Sequence, residues 1–291
     1  TKKRNLVRFN GAYHGWWEDV QPGIGNPLPP RETYTLKDMD KDSLHVLATR
    51  DDIACVLINP LQALHPNAGA PGDSSLVDSS RRAGYDRAAY TEWLQQLREV
   101  CTRRVQADMV TYGKTLGGGL PVGVVCGRRD LMKRFRDDHP ADICFARGTF
   151  NAHPYVMAAM QVFLEKLETP VVRDLYVDLD ETWNRRDALL NEQLAAAGLP
   201  VQVANMSSIW SVYYTRPSRY NWMLQYYLRA QGLALSWVGT GRFIFSLNYS
   251  EADFAAVVER FIAAAHQMET DGWWWEAPGQ TNKTIRRGIL R

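Results

Sequence analysis

The stretch richest in chemical possibility runs Ala107-Asp-Met-Val-Thr-Tyr-Gly-Lys114-Thr-Leu-Gly-Gly-Gly-Leu-Pro-Val-Gly-Val-Val-Cys-Gly127. A lysine stands at the end of an apolar, strand-like run, and Gly117, Gly118 and Gly119 follow it. Three chemistries could use a Gly-Lys-Thr in this setting. A phosphate-cradling P-loop needs a glycine five positions before the Gly-Lys pair, with its glycines ahead of the lysine. Asp108 occupies that position and the glycines come after, so a P-loop is excluded. The second possibility is a solvated lysine on a flexible turn. The third is a Schiff-base lysine, an amine that condenses with a cofactor aldehyde and later carries a proton. That role needs a rigid strand end to aim the amine and a neighbouring backbone bare enough for a flat ring to approach. Spacing alone leaves the second and third open.

Two further segments bear on the choice. Tyr13-His14-Gly15-Trp16 places an aromatic ring beside a turn, and Arg147-Gly148-Thr149-Phe150-Asn-Ala-His-Pro154 precedes a helical pattern. Taken singly, the first reads as a core tyrosine and the second as a cap or turn. Taken in order with Gly113-Lys114-Thr-Leu-Gly-Gly-Gly-Leu-Pro-Val-Gly, they resemble the class III aminotransferase family, including its glutamate-1-semialdehyde aminomutase members. The resemblance covers nearly the whole chain. It implies fold type I of the pyridoxal-phosphate-dependent transferases and pyridoxal 5'-phosphate (PLP) as cofactor.

Carried over residue by residue, the resemblance makes Lys114 the catalytic lysine that holds PLP as a Schiff base. Tyr13 becomes the residue stacked on the pyridine ring, with His14 beside it in the same turn. Gly148 and Thr149 become cofactor-binding, with the Thr149 hydroxyl reaching the phosphate of the neighbouring subunit in a homodimer. Arg147 and His65 lie in segments expected to approach the site, where either could meet a substrate carboxylate. The implied activity is amino transfer between small amino and keto compounds, or the intramolecular transfer of an aminomutase. A catalytically inactive dimeric relative is the alternative from another class.

The elements that must position these residues follow from periodicity. Apolar runs alternating with amphipathic ones indicate an α/β chain. Ile53–Ile58 reads as a buried strand, and residues 60–80 as a loop rich in Pro, Gly, Ser and Asn. From Ala88 to Arg104 the apolar residues fall on one helical face. Strands at Met109–Tyr112 and Pro121–Cys126 flank the glycines. Helices are expected at about Pro154–Leu167 and Val171–Ala197, the latter stopped by Gly198-Leu-Pro200. A strand near Ile209–Tyr214, a helix near Tyr220–Ala230, a strand at Phe243–Leu247 and a helix over Ala252–Met268 complete the pattern. This places a large PLP-binding α/β domain with a mainly parallel sheet over residues 1–168, and a smaller α+β domain over 169–291.

Three departures from the family pattern stand out. The chain starts Thr1-Lys2-Lys3-Arg4 and runs at once into a motif, which predicts that an N-terminal part, with its glycine-serine phosphate cradle, precedes it. The helix ending at Arg104 passes directly into Val105, where the family has a strand ending in Asp-Glu-Val. That predicts an internal segment missing at 104/105. Asn59-Pro60 also replaces the family's Glu-Pro after the Ile53 strand.

Bulk properties limit the partners. A formal net charge of +2 with interspersed signs gives no reason to expect a nucleic-acid partner. No apolar run reaches the ~18 residues of a membrane span. The six histidines lack metal-ligand spacing, so no metal is assigned. Cys55, Cys101, Cys126 and Cys144 form no C-x-x-C pair and read as buried free thiols of a reducing, cytoplasmic protein.

Overall fold

The computed structural model describes residues 3–9, 14, 32–60, 87–104, 109–144, 148–234 and 242–289. In chain order the elements are β1 (Asn5–Phe9), β2 (Thr33–Leu36), α1 (Lys41–Thr49), β3 (Ile53–Leu57), α2 (Arg87–Arg104), β4 (Met109–Gly113) and β5 (Gly123–Gly127). They continue with α3 (Pro154–Leu167), α4 (Pro170–Asp174), α5 (Leu179–Ala196), β6 (Val201–Met206), β7 (Ile209–Tyr214), α6 (Leu224–Ala230), β8 (Arg242–Ile244), α7 (Glu251–Thr270) and α8 (Asn282–Ile289). Contacts group these into two compact units, one of Thr1–Leu97 with Asp178–Arg291, the other of Arg98–Val177.

Among the described residues the first unit holds two sheets. One is parallel, in the order β2-β1-β3. Its middle strand buries Val7, Arg8 and Phe9, as a strand with neighbours on both sides must. Phe9 meets Trp93 of α2 edge-on at 5.1 Å, and Trp93 stacks with Tyr90, so the apolar face read from α2 is the one that covers this sheet. The other sheet is antiparallel, in the order β6-β7-β8. Trp183 of α5, Trp210 of β7, Phe245 and Phe254 of α7 pack there with ring centroids 5.1–6.4 Å apart. A capping box opens α7: the Ser250 hydroxyl accepts from the Asp253 N–H, and the Asp253 carboxylate accepts from the Ser250 N–H.

In the second unit β4 and β5 form an antiparallel hairpin, registered from Met109 opposite Gly127 to Gly113 opposite Gly123. The connection between them is the lysine–glycine segment. Residues 128–144 follow as an exposed loop that pairs its own charges, Arg128 with Asp130, Lys133 with Asp137, and Arg136 with both Asp138 and Asp142.

Several expectations change. The helix expected over Val171–Ala197 is two helices, α4 and α5, because Asp178 adopts a left-handed backbone (φ 51°). Aspartate tolerates that conformation better than most residues, and the Asp178 carbonyl then accepts from Thr182 to start the new helix. The helix at Tyr220–Ala230 begins as a 3-10 turn over Asn221–Met223. The strand near Phe243 ends at Ile244, since only Arg242, Phe243 and Ile244 pair with β7. Strands β1, β2 and β6 and helices α1 and α8 have no counterpart in the sequence reading. The cysteines are free, but Cys55, Cys126 and Cys144 are exposed and Cys101 half-buried. Cys55 and Cys126 sit on strands that pair with one neighbour among the described residues, and Cys144 sits in the charged loop, so apolar flanking residues did not imply burial.

Candidate active site

Lys114 is placed by the way β4 ends. Gly113 is fully extended, the last residue to pair with β5, and Lys114 turns abruptly with φ 53°, a left-handed conformation rare for a residue with a long side chain. A 3-10 turn over Lys114–Gly117 follows, closed by the Gly118 N–H donating to the Thr115 carbonyl at 3.0 Å. Non-glycine residues in this conformation cost of order 1 kcal/mol or more and cluster at functional sites.

The glycines then serve different ends. A Cβ at Gly117 would meet Val122 Cγ1 at 3.0 Å, so this residue is small in order to pack. At Gly118 (φ 59°) a Cβ would meet the Ala159 carbonyl oxygen of α3 at 3.1 Å. The turn therefore rests directly on α3. Gly119 (φ 95°) faces open space, with no atom of the described residues within 4 Å of a would-be Cβ. The result is a shallow, open depression lined by Lys114, Thr115, Gly118, Gly119, Leu120, Pro121 and Phe163. The Lys114 side chain is exposed within it.

Gly148 and Thr149 occupy an exposed turn closed by the Asn151 N–H donating to the Gly148 carbonyl at 3.1 Å. The cap of α3 is His153, whose Nδ1 accepts from the Tyr155 N–H, with Pro154 at the first helical position. Neither Gly148 nor Thr149 lines the depression around Lys114. His14, in the other unit, is half-buried, and its Nε2 is enclosed with no hydrogen-bond partner among the described residues. Burial, and then the nearby charge of Arg8, hold its imidazole below the usual histidine range. Arg8 is itself buried and donates to the Thr35 hydroxyl at 2.7 Å. Tyr13, His65, Arg147 and residue 105 of the 104/105 junction lie outside the described residues.

The family model described as aminotransferase class III matches residues 97–265, more than half of the chain. The chain belongs to the class III aminotransferase family. Among curated relatives, the glutamate-1-semialdehyde 2,1-aminomutase of Hyperthermus butylicus is 32% identical over 197 residues, covering 58% of this chain and 44% of that protein. The corresponding protein of Methanothermobacter thermautotrophicus is 28% identical over 244 residues, covering 74% of this chain and 54% of the relative. This class III chain thus spans about half the length of the curated relatives it matches. Its fold is that of solved transaminases. One, described as a transaminase with PLP bound, superposes with a TM-score of 0.69 at 22% identity, covering 93% of this chain and 69% of its own. An omega-transaminase from Sphaerobacter thermophilus gives 0.67 at 23% identity, covering 92% and 69%.

Within the class III chain, three lining residues were not singled out from sequence: Leu120, Pro121 and Phe163. Leu120 and Pro121 are part of the lysine motif but carry no reactive group. Phe163 lies nine residues beyond Pro154 at the start of α3, and the close approach of Gly118 to Ala159 brings that face of the helix to the site.

Proposed function

We propose that this chain carries the cofactor lysine of a PLP-dependent aminotransferase, with Lys114 as the residue that holds the cofactor. The observation that carries the reading is the Lys114 turn: an exposed amine aimed by the end of β4, beside glycine backbone that leaves open space at Gly119. A phosphorylated aromatic aldehyde fits these residues, since the amine is accessible and no Cβ stands where a flat ring would approach. When bound, PLP supplies an electron sink for bonds at the substrate's amino-bearing carbon.

In this reading Lys114 binds the cofactor, gives way to the substrate amine, and then moves a proton at the substrate carbon as base and acid. The left-handed turn fixes the lysine backbone and with it the direction in which the side chain leaves the chain. Tyr13 stacks on the cofactor ring, with His14 next to it in the sequence. Gly148 and Thr149 reach the phosphate across the interface of a homodimer, which accounts for a Thr149 that is exposed in a single chain. Arg147 and His65 receive a substrate carboxylate. The division at 168/169 into a large cofactor domain and a small domain, and a cytoplasmic location, belong to the same reading. No helix among the described residues is long and apolar enough to cross a membrane.

An aminomutase, which returns the amino group to the same carbon skeleton, is supported by the names of the relatives matched in sequence. It uses the same residues and differs in whether the keto intermediate leaves.

The test is spectroscopic. Adding PLP to the purified protein should give a visible absorbance that borohydride abolishes. A Lys114→Ala variant should show only free cofactor, and an unchanged band in that variant would remove the assignment.

A further inference from the structure

The depression beside Lys114 is unevenly furnished. Its polar side chains are the Lys114 amine and the Thr115 hydroxyl, while Leu120, Pro121 and Phe163 supply a predominantly apolar wall. This wall is built by packing rather than by chance exposure. Gly118 seats the turn on Ala159 of α3 with no room for a side chain between them. Phe163 lies four residues beyond Ala159 and hence on the same face of the helix, one turn further along. Phe163 is half-buried, and Leu120 remains 40% exposed, so apolar surface lines the same depression as Lys114.

Resting on the reading of Lys114 as the cofactor lysine, we infer that Leu120, Pro121 and Phe163 receive a nonpolar group of the amino substrate. The site then favours amines and amino acids with alkyl or aryl side chains over those with a second carboxylate. A carboxylate laid on this wall would lose water and gain no donor from it, whereas an alkyl or aryl group is itself released from water. Phe163 becomes a specificity-determining residue, contributed by a helix that bears none of the reacting groups.

The wall can be probed without cofactor. The purified chain is treated with n-alkyl aldehydes of increasing length, and with glyoxylic acid, each with cyanoborohydride. Modification of Lys114 is then read by peptide mass spectrometry relative to the exposed Lys41 on α1. The Lys114/Lys41 ratio should rise about two- to four-fold per added methylene over the first few, the range for half to full burial of each group. It should be lowest for glyoxylic acid. Phe163→Ala should flatten the dependence, and so should Leu120→Ser, which alters a partly exposed residue and leaves α3 intact. Labelling of Lys114 by PLP and borohydride is measured on the same proteins. A ratio indifferent to chain length in the wild type, or a dependence unchanged in both variants, overturns the inference while PLP labelling still stands. Failure of PLP to label Lys114 overturns the reading beneath it, and the inference with it, whatever the aldehydes show.

Discussion

Asp187 gives the sharpest test of the packing in the antiparallel half of the first unit. It lies on α5, where one carboxylate oxygen accepts from the Asn191 side-chain amide at 3.1 Å and the other is enclosed without a partner among the described residues. Asn191 is committed to β6, donating to the Val203 carbonyl at 2.9 Å and accepting from the Val203 N–H at 2.8 Å. It therefore cannot turn to serve the carboxylate fully. Burial pushes the Asp187 carboxyl up to about 7, with the Asn191 bond only partly opposing. Tyr213 of β7 is the neighbouring titratable group, raised by burial and then by Asp187.

The sign follows from linkage. The folded state holds the proton more tightly than the unfolded chain, whose carboxyl titrates near ~3.9. The associated stability is fully present below about pH 4 and is lost as pH rises through about 7. A shift of roughly three units sets a ceiling of about 4 kcal/mol. Water reaching this half-buried side chain reduces the expected effect to about 1–3 kcal/mol. Asp187→Asn removes the charge at nearly constant shape. Urea unfolding at pH 5 and pH 8 should show the wild type losing about 0.6–2 kcal/mol more than the variant between the two conditions, the part of the effect below pH 5 having already gone. At pH 8 the variant should be the more stable protein. Parallel pH profiles, or a variant weaker at pH 8, would refute the claim that this carboxyl is desolvated.

Other consequences are open to measurement. Asn191→Ala leaves the Val203 N–H and carbonyl unpaired beneath α5 and should cost about 1–3 kcal/mol in denaturant unfolding. A cost below a few tenths would mean that water replaces the clamp. Ser250→Ala breaks the box at the start of α7 and should cost about 1 kcal/mol, read as a drop in the thermal midpoint. Gly118→Ala imposes both a positive φ and a contact at 3.1 Å with the Ala159 carbonyl, and should displace the lysine turn from α3. PLP labelling of Lys114 should then fall more than in Gly123→Ala, where the backbone is not left-handed and the added Cβ meets no described atom within 4 Å; equal effects would refute the seating of the turn on α3.

Much of the site's scaffold was legible because its signals are local. Pro154 at the first turn of α3, and the glycines bounding the β4–β5 hairpin, fix ends that no tertiary contact has to supply. Lys114 and its glycines could be read as a motif, yet spacing could not separate a cofactor lysine from a solvated one. The left-handed φ of Lys114 has no sequence signature at all. The break between α4 and α5 was missed because Leu175, Tyr176 and Val177 fit a helical pattern, and Asp178 leaves it through backbone conformation alone. Strand β6 was missed because Val201-Gln-Val-Ala-Asn-Met206 is short and weakly alternating, and its stability comes from Asn191 and β7. Cysteine burial was misread for a related reason: sequence gives the apolar run but not how many neighbours its strand will have.

The measurement that bears most directly on the function is the position of the cofactor on the chain. Incubation with PLP, borohydride reduction and peptide mapping should place the label on the peptide bearing Lys114 and leave exposed lysines such as Lys41 and Lys166 largely unmodified. A label spread evenly over the exposed lysines, or missing from Lys114, would contradict the account.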